Sequence, residues 1–210
     1  MKILAVSDIV LDMLYSPLIR ERFPEVDFVL GCGDLPYYYL EYILTALNVP
    51  VLFVRGNHAN VVEYSSAGQK THPQGAMDLH RRVICHEGLL IAGIEGSLRY
   101  NQGPFQYTQV EMWENVLHLV PRLLYNRLRY GRYLDILITH ASPWGIHDQP
   151  DLPHQGIKAF NWLLRTFKPR YHFHGHIHVY QSFVKTETLY HQTQVVNVYG
   201  YKKLEVTPQT

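Results

Sequence analysis

Five short segments of this chain end an apolar run in a residue that can bind a cation. They are AVSD (Asp8), GCGD (Asp34), VRGNH (Asn57 and His58), LITH (His140) and FHGHIH (His176 and His178). Together they offer a mixed oxygen and nitrogen donor set. Such a set suits borderline cations such as Mn, Fe or Zn better than Mg or Ca, which prefer oxygen alone. A carboxylate shared between two cations holds them about 3.5–4 Å apart, an arrangement that activates a water and clamps a phosphoryl group. Glycines at 33, 56 and 175 flank these residues and permit tight turns and close backbone approach.

Taken singly, each segment has a plainer reading. An Asp after a strand is more often a helix N-cap, which applies to Asp8 and Asp34. Asn57 could stabilise a turn, and a lone His140 is more often a hydrogen-bonded core histidine. The alternating run His172, His174, His176, His178 is harder to explain away, because four histidines on an apolar strand are costly to bury unless bonded or metallated. His172 and His174 lie inside the strand and read as structural.

The elements that must position these residues follow from the apolar pattern. Residues 3–6, 28–30, 51–54, 89–92, 136–139 and 171–174 read as buried strands. Leu40, Ile43, Leu44 and Leu47 mark one helical face, as do Phe160, Leu163, Leu164 and Phe167. Val110, Trp113, Leu117 and Val120 mark another, which Pro121 is expected to end or kink. Residues 60–74 read as loop, and 179–206 alternate like strands joined by turns. The order implies an α/β (α+β) domain of two sheets flanked by helices rather than a Rossmann sheet, with ligands collecting beyond the carboxyl ends of the strands.

Composition sets the outer bounds. The 210 residues fit a single domain spanning 1–210, and 47% hydrophobic against 18% charged residues excludes a disordered class. A formal charge of +1 supplies no global field for nucleic acid or a membrane surface. Cys32 and Cys85 lack metal-ligand spacing and read as buried free thiols. The start MKILAVSDIV lacks a signal-peptide pattern and no apolar run is long enough to span a bilayer, so a cytoplasmic protein is the expectation.

In their order the segments resemble the signature of the calcineurin-like metallophosphoesterase superfamily: D-x-H, G-D, G-N-H-[DE], a lone His after a strand, then G-H-x-H. Here these read Asp8-Ile9-Val10, Gly33-Asp34, Gly56-Asn57-His58-Ala59, His140 and Gly175-His176-Ile177-His178. The resemblance implies two mixed β-sheets sandwiched between helices and a binuclear metal centre. Asp8, Asp34 and His178 would hold the first cation, and Asp34, Asn57, His140 and His176 the second. By the same resemblance a metal-bridging hydroxide attacks a phosphomonoester or phosphodiester, and His58 stabilises or protonates the leaving oxygen. Val10 stands where the family has a histidine ligand, which weakens the first site, and Ala59 stands where it has a carboxylate. Arg99 is a candidate for contact with substrate phosphate, although surface or structural use is the plainer reading, and Arg55 reads as structural. The segment from Asn60 to Arg82 could cover the site, although a surface loop is the plainer reading. The alternative is a weak or inactive member of the fold serving as a protein-interaction scaffold, which Val10 and Ala59 favour. Retained His58 favours the enzyme. Gly175 and Ile177 exclude a metallo-β-lactamase-like motif, which would need Asp there.

Overall fold

The computed structural model describes residues 1–65, 68–181 and 183–207. Strands β1 (Lys2–Ser7), β2 (Phe28–Cys32) and β3 (Val51–Val54) are followed by the short β4 (Glu63–Ser65), β5 (Gly68–Lys70) and β6 (Met77–Asp78). Then come β7 (Arg82–His86), β8 (Leu89–Ile94), β9 (Ser97–Leu98), β10 (Gln106–Tyr107), β11 (Ile136–Thr139) and β12 (Tyr171–His174). The chain closes with β13 (Glu187–Tyr190), β14 (Thr193–Asn197) and β15 (Gly200–Glu205). The helices are α1 (Ile19–Arg22), α2 (Tyr37–Leu47), α3 (Gln109–Tyr130) and α4 (Lys158–Phe167), with a 3₁₀ turn at Leu152–His154.

Two large mixed sheets result, in the orders β15-β1-β2-β3-β6 and β13-β14-β12-β11-β8-β7. The interior strands run parallel and the antiparallel strands lie at the edges. Side-chain alternation explains the layering. Ile3 and Ala5 of β1, with Leu30 and Cys32 of β2, face Ile91, Ile136, Ile138 and Phe173 of the other sheet. Leu4, Val6, Val29 and Phe53 point the opposite way, onto Tyr39, Leu40 and Ile43 of α2. On the far side, Leu90, Ala92, Leu137 and Val195 pack on α3 and α4. Each interior strand is covered on both faces, which is why it reads as a continuous apolar run. The four layers are helix, sheet, sheet, helix.

Four expectations are corrected. Helix α3 runs unbroken through Pro121, which sits on its exposed side. Pro121 cannot engage the Leu117 carbonyl, and Leu117 is itself an exposed residue. Its buried face is Met112, Val116, Leu119 and Leu123 with Asn115 and Asn126, whereas Val110 and Leu117 are exposed. Thr108 and Glu111 close a capping box at its start and Gly131, in the left-handed conformation, ends it. The third correction concerns Cys85, which is exposed while Cys32 is buried, because β7 is an edge strand. The fourth is the 60–74 stretch, which contains the β4–β5 hairpin, tied to α2 by Lys70–Glu41 and by Glu63 accepting from the Tyr37 amide. No helix among the described residues is long and apolar enough to cross a membrane.

Candidate metal centre

The parallel strands of both sheets deliver their next residues to one edge. Asp8 follows β1, Asp34 follows β2, Asn57 follows β3, His140 follows β11 and His176 follows β12. Ligand atoms of Asp34, His140 and His176 all lie within 4.8 Å of one another. Asn57 Oδ1 lies 3.0 Å from His140 Nε2, and Asp34 Oδ2 lies 3.1 Å from the same nitrogen.

Backbone strain marks the same residues. Asp8 (φ 65°), Asp34 (φ 53°) and His176 (φ 69°) all adopt the left-handed region, which non-glycine residues occupy at a cost of about 1–3 kcal/mol each. The strain is held by the surrounding bonds. Asp8 accepts from the His176 amide at 3.0 and 3.2 Å, and Asp34 Oδ1 accepts from the His58 amide at 2.8 Å. Gly33 (φ 94°) presses against the His140 ring, where a Cβ would stand 2.7 Å from Cγ. A Cβ at Gly56 or Gly175 would strike the carboxylate of Asp34 or Asp8 at 2.5 Å.

The tautomers follow from the carbonyl partners, which can only accept. His140 Nδ1–H donates to the Cys32 carbonyl at 3.0 Å, and His176 Nε2–H donates to the Pro153 carbonyl at 2.8 Å. The remaining nitrogen of each ring carries a lone pair when the ring is neutral. His140 Nε2 then faces the Asp34 carboxylate lone pair to lone pair, an arrangement that needs a cation or a proton between them. Without a metal the proton takes that place. Burial pushes the His140 pKa down, but the Asp34 charge outweighs it and lifts the ring to about 9. Burial likewise pushes Asp34 up, and His140 outweighs it, leaving the carboxyl at about 2. His176 is held at about 3 by burial and by the neighbouring His140, and burial raises Asp8. A backbone carbonyl holding the far side of each imidazole is the usual support of a metal-ligating histidine. The donor set therefore fits a divalent cation.

The other candidates fall differently. His178 lies at the rim, with Nε2 3.9 Å from Asp8 Oδ1 and Nδ1 2.8 Å from the Tyr180 hydroxyl. Its ring stacks on Tyr199 at 4.8 Å. His58 is exposed beside Asp34. Val10 packs against the apolar layer beneath α2, and Ala59 is buried. The guanidinium of Arg99 binds the Gln106 carbonyl and Glu111, in keeping with the structural one of its two readings. Arg99 is a strut for its loop. His172 and His174 are buried, bonded to Thr139 and to His147 and the Gly175 carbonyl.

Three contributors carry no mark in the apolar pattern. Ser7 donates to the Cys32 carbonyl at 3.0 Å, tying β1 to β2 beneath the site. Pro153 supplies the carbonyl for His176. The Tyr100 hydroxyl lies 3.2 Å from Asn57 Nδ2, and its loop is pinned by buried Gln106, whose Oε1 accepts from the Tyr100 and Asn101 amides. The signal available in sequence was that β8 also ends at this edge. Arg55, next to Gly56, pairs with Asp78 and lies 3.5 Å from Glu95, which accepts from Tyr107 at 2.6 Å. This cluster joins the two sheets beside the Asn57 turn.

The family model for calcineurin-like phosphoesterases matches residues 1–180. The chain belongs to that family. Membership carries metal-dependent phosphoesterase chemistry at the family level. Solved structures agree in fold. One matches with a TM-score of 0.65 at 17% identity, covering 97% of this chain and 94% of its own. TT1561 of Thermus thermophilus matches with a TM-score of 0.62 at 16% identity, covering 95% and 89%. Comparison with curated proteins finds no match.

Proposed function

We propose that this calcineurin-like phosphoesterase hydrolyses phosphomonoesters or phosphodiesters at a binuclear centre beyond the strand ends. The observation that carries the reading is the convergence of Asp34, Asn57, His140 and His176, with His140 Nε2 aimed at the Asp34 carboxylate. These four residues would hold one divalent cation, of the Mn, Fe or Zn class. Asp8, shared Asp34 and His178 would hold a second, with fewer protein donors because Val10 cannot ligate. Such cations activate water and neutralise phosphoryl charge when bound.

The chain's own residues supply the rest. Asp34 accepts the His58 amide, so the turn that orients the Asp34 carboxylate also fixes the exposed His58 beside it. From there His58 would stabilise or protonate the leaving oxygen, a role typically worth ~10²–10⁴ in rate. The left-handed backbone at Asp8, Asp34 and His176 holds the donors in place before anything binds.

The test combines metal analysis with hydrolysis of nitrophenyl phosphate and bis-nitrophenyl phosphate. Hydrolysis is expected with metal and is lost in Asp34→Asn. His58→Ala is expected to keep its metal and lose rate. Bound metal with no hydrolysis of either ester would overturn the enzyme reading.

A further inference from the structure

The chain's formal charge is +1, yet four of its basic side chains meet around one groove. An open groove of about 520 Å³ between β7 and α3 is lined by Arg81, Arg82, His118 and Arg122, with Val83 and Pro121 on its apolar side. That volume is in the usual range for a small-molecule site, about 300–1,000 Å³. Among the described residues, no ion pair ties any of the three guanidinium groups to a carboxylate. Three guanidinium groups without a carboxylate partner give the groove a local positive potential that an anion can meet.

One of the arginines is also held at a cost. Arg81 adopts a left-handed backbone, φ 57°. Its Nε donates at 2.7 Å to Oδ1 of Asn115, a fully buried residue on the core face of α3. The other contact of that amide is a weak one, Nδ2 to Met112 Sδ at 3.8 Å. An asparagine in the apolar layer costs desolvation, and the strained Arg81 adds to it. What the pair achieves is a fixed guanidinium plane at the groove. Arg122 is similarly steadied, 4.7 Å over the Tyr125 ring. Arg82 and His118 complete the rim. Pre-set guanidinium forks are the preferred receptors for phosphate oxygens, and the apolar side can accept an organic body.

We propose that this groove binds a small organic polyphosphate, its phosphates on Arg81, Arg82, Arg122 and His118 and its organic part against Val83 and Pro121. The site uses none of the candidate metal ligands, so it stands whether or not the phosphoesterase reading holds.

The test is calorimetric titration of EDTA-treated protein with ATP, with inorganic pyrophosphate and with adenosine. ATP is expected to bind at one site, tighter than pyrophosphate and weakened by salt, with adenosine not binding. Arg82→Glu combined with Arg122→Glu should weaken ATP at least about tenfold, the loss of charge-assisted bonds. Both residues lie on the surface, and an unchanged melting temperature confirms folding. His58→Ala, at the other site, should bind ATP as the unmodified protein does. No ATP binding, equal binding of ATP and pyrophosphate, or binding lost in His58→Ala but kept in the arginine variant would each overturn the proposal. So would binding to phosphatidylinositol phosphate vesicles without binding to ATP.

Discussion

Replacing Gly33 with alanine probes how the candidate centre is held. At φ 94° an alanine occupies backbone space that L-residues avoid, at a cost of roughly 1–2 kcal/mol. The added Cβ also collides with the His140 ring, with Cγ at 2.7 Å and the Gly56 nitrogen at 2.9 Å. The ring's Nδ1 stands closer still, so to reach ordinary contact at 3.4 Å the ring must retreat by about 1 Å. That retreat works against the 3.0 Å bond from Nδ1 to the Cys32 carbonyl. A buried donor left unpaired costs about 1–3 kcal/mol. The expected loss for Gly33→Ala is therefore about 2–5 kcal/mol, read by urea unfolding of the metal-free protein. Mn²⁺ or Zn²⁺ titration should weaken in parallel, because Nε2 of the same ring moves off Asp34. A Gly33→Ala protein within about 1 kcal/mol of the original, with unchanged metal affinity, would refute this account of the site.

Three further outcomes follow from other contacts. Tyr100→Phe removes the hydroxyl beside Asn57 Nδ2 and should weaken metal binding by about 2–10-fold, the worth of one hydrogen bond; unchanged affinity by calorimetry would count against Tyr100 as a positioning residue. Arg99→Ala should leave the KM of a nitrophenyl ester within about twofold and cost at most ~1 kcal/mol, since its partners are Glu111, in an exposed pair, and the Gln106 carbonyl; a large rise in KM would restore it to the substrate. His172 is fully enclosed and burial, then His147, holds its pKa at about 3 against an ordinary 6.5. Below pH 6.5 the unfolded chain takes up a proton that the folded chain refuses, so stability falls on acidification. At pH 5 this one ring accounts for about 2 kcal/mol. His172→Gln should shrink the drop in metal-free stability between pH 7.5 and 5 by that amount, and an identical drop would contradict the assignment.

The strands and α2 were legible because each is buried by a single rule, apolar on both faces for β1 to β3 and one stripe for α2. The strand-end donors were legible for the same reason, since the polar residue marks where the buried run stops. Helix α3 was misread because it carries two competing apolar stripes. Val110, Leu117, Leu124 and Leu128 face outward, while the inward stripe is interrupted by Asn115 and Asn126. Asn115 Oδ1 accepts from Arg81 and Asn126 Nδ2 donates to the Tyr133 carbonyl, partners that local periodicity does not reveal. Arg99 drew attention by its charge, yet the neighbouring Tyr100 reaches Asn57. The difference lies in a loop closed by Gln106, a long-range fact invisible to spacing.

The donors beyond the strand ends come from both halves of the molecule: Asp8, Asp34 and Asn57 from one sheet, His140 and His176 from the other. A cation bound among them is a rivet through two layers otherwise joined chiefly by apolar packing. Ligation then becomes part of the folding equilibrium. At a free cation concentration about one hundred times the dissociation constant, mass action adds about 2.7 kcal/mol to the stability of the whole domain. Chelation should accordingly loosen both sheets together, so the metal supply of its surroundings would govern how long the protein survives as well as whether it can act.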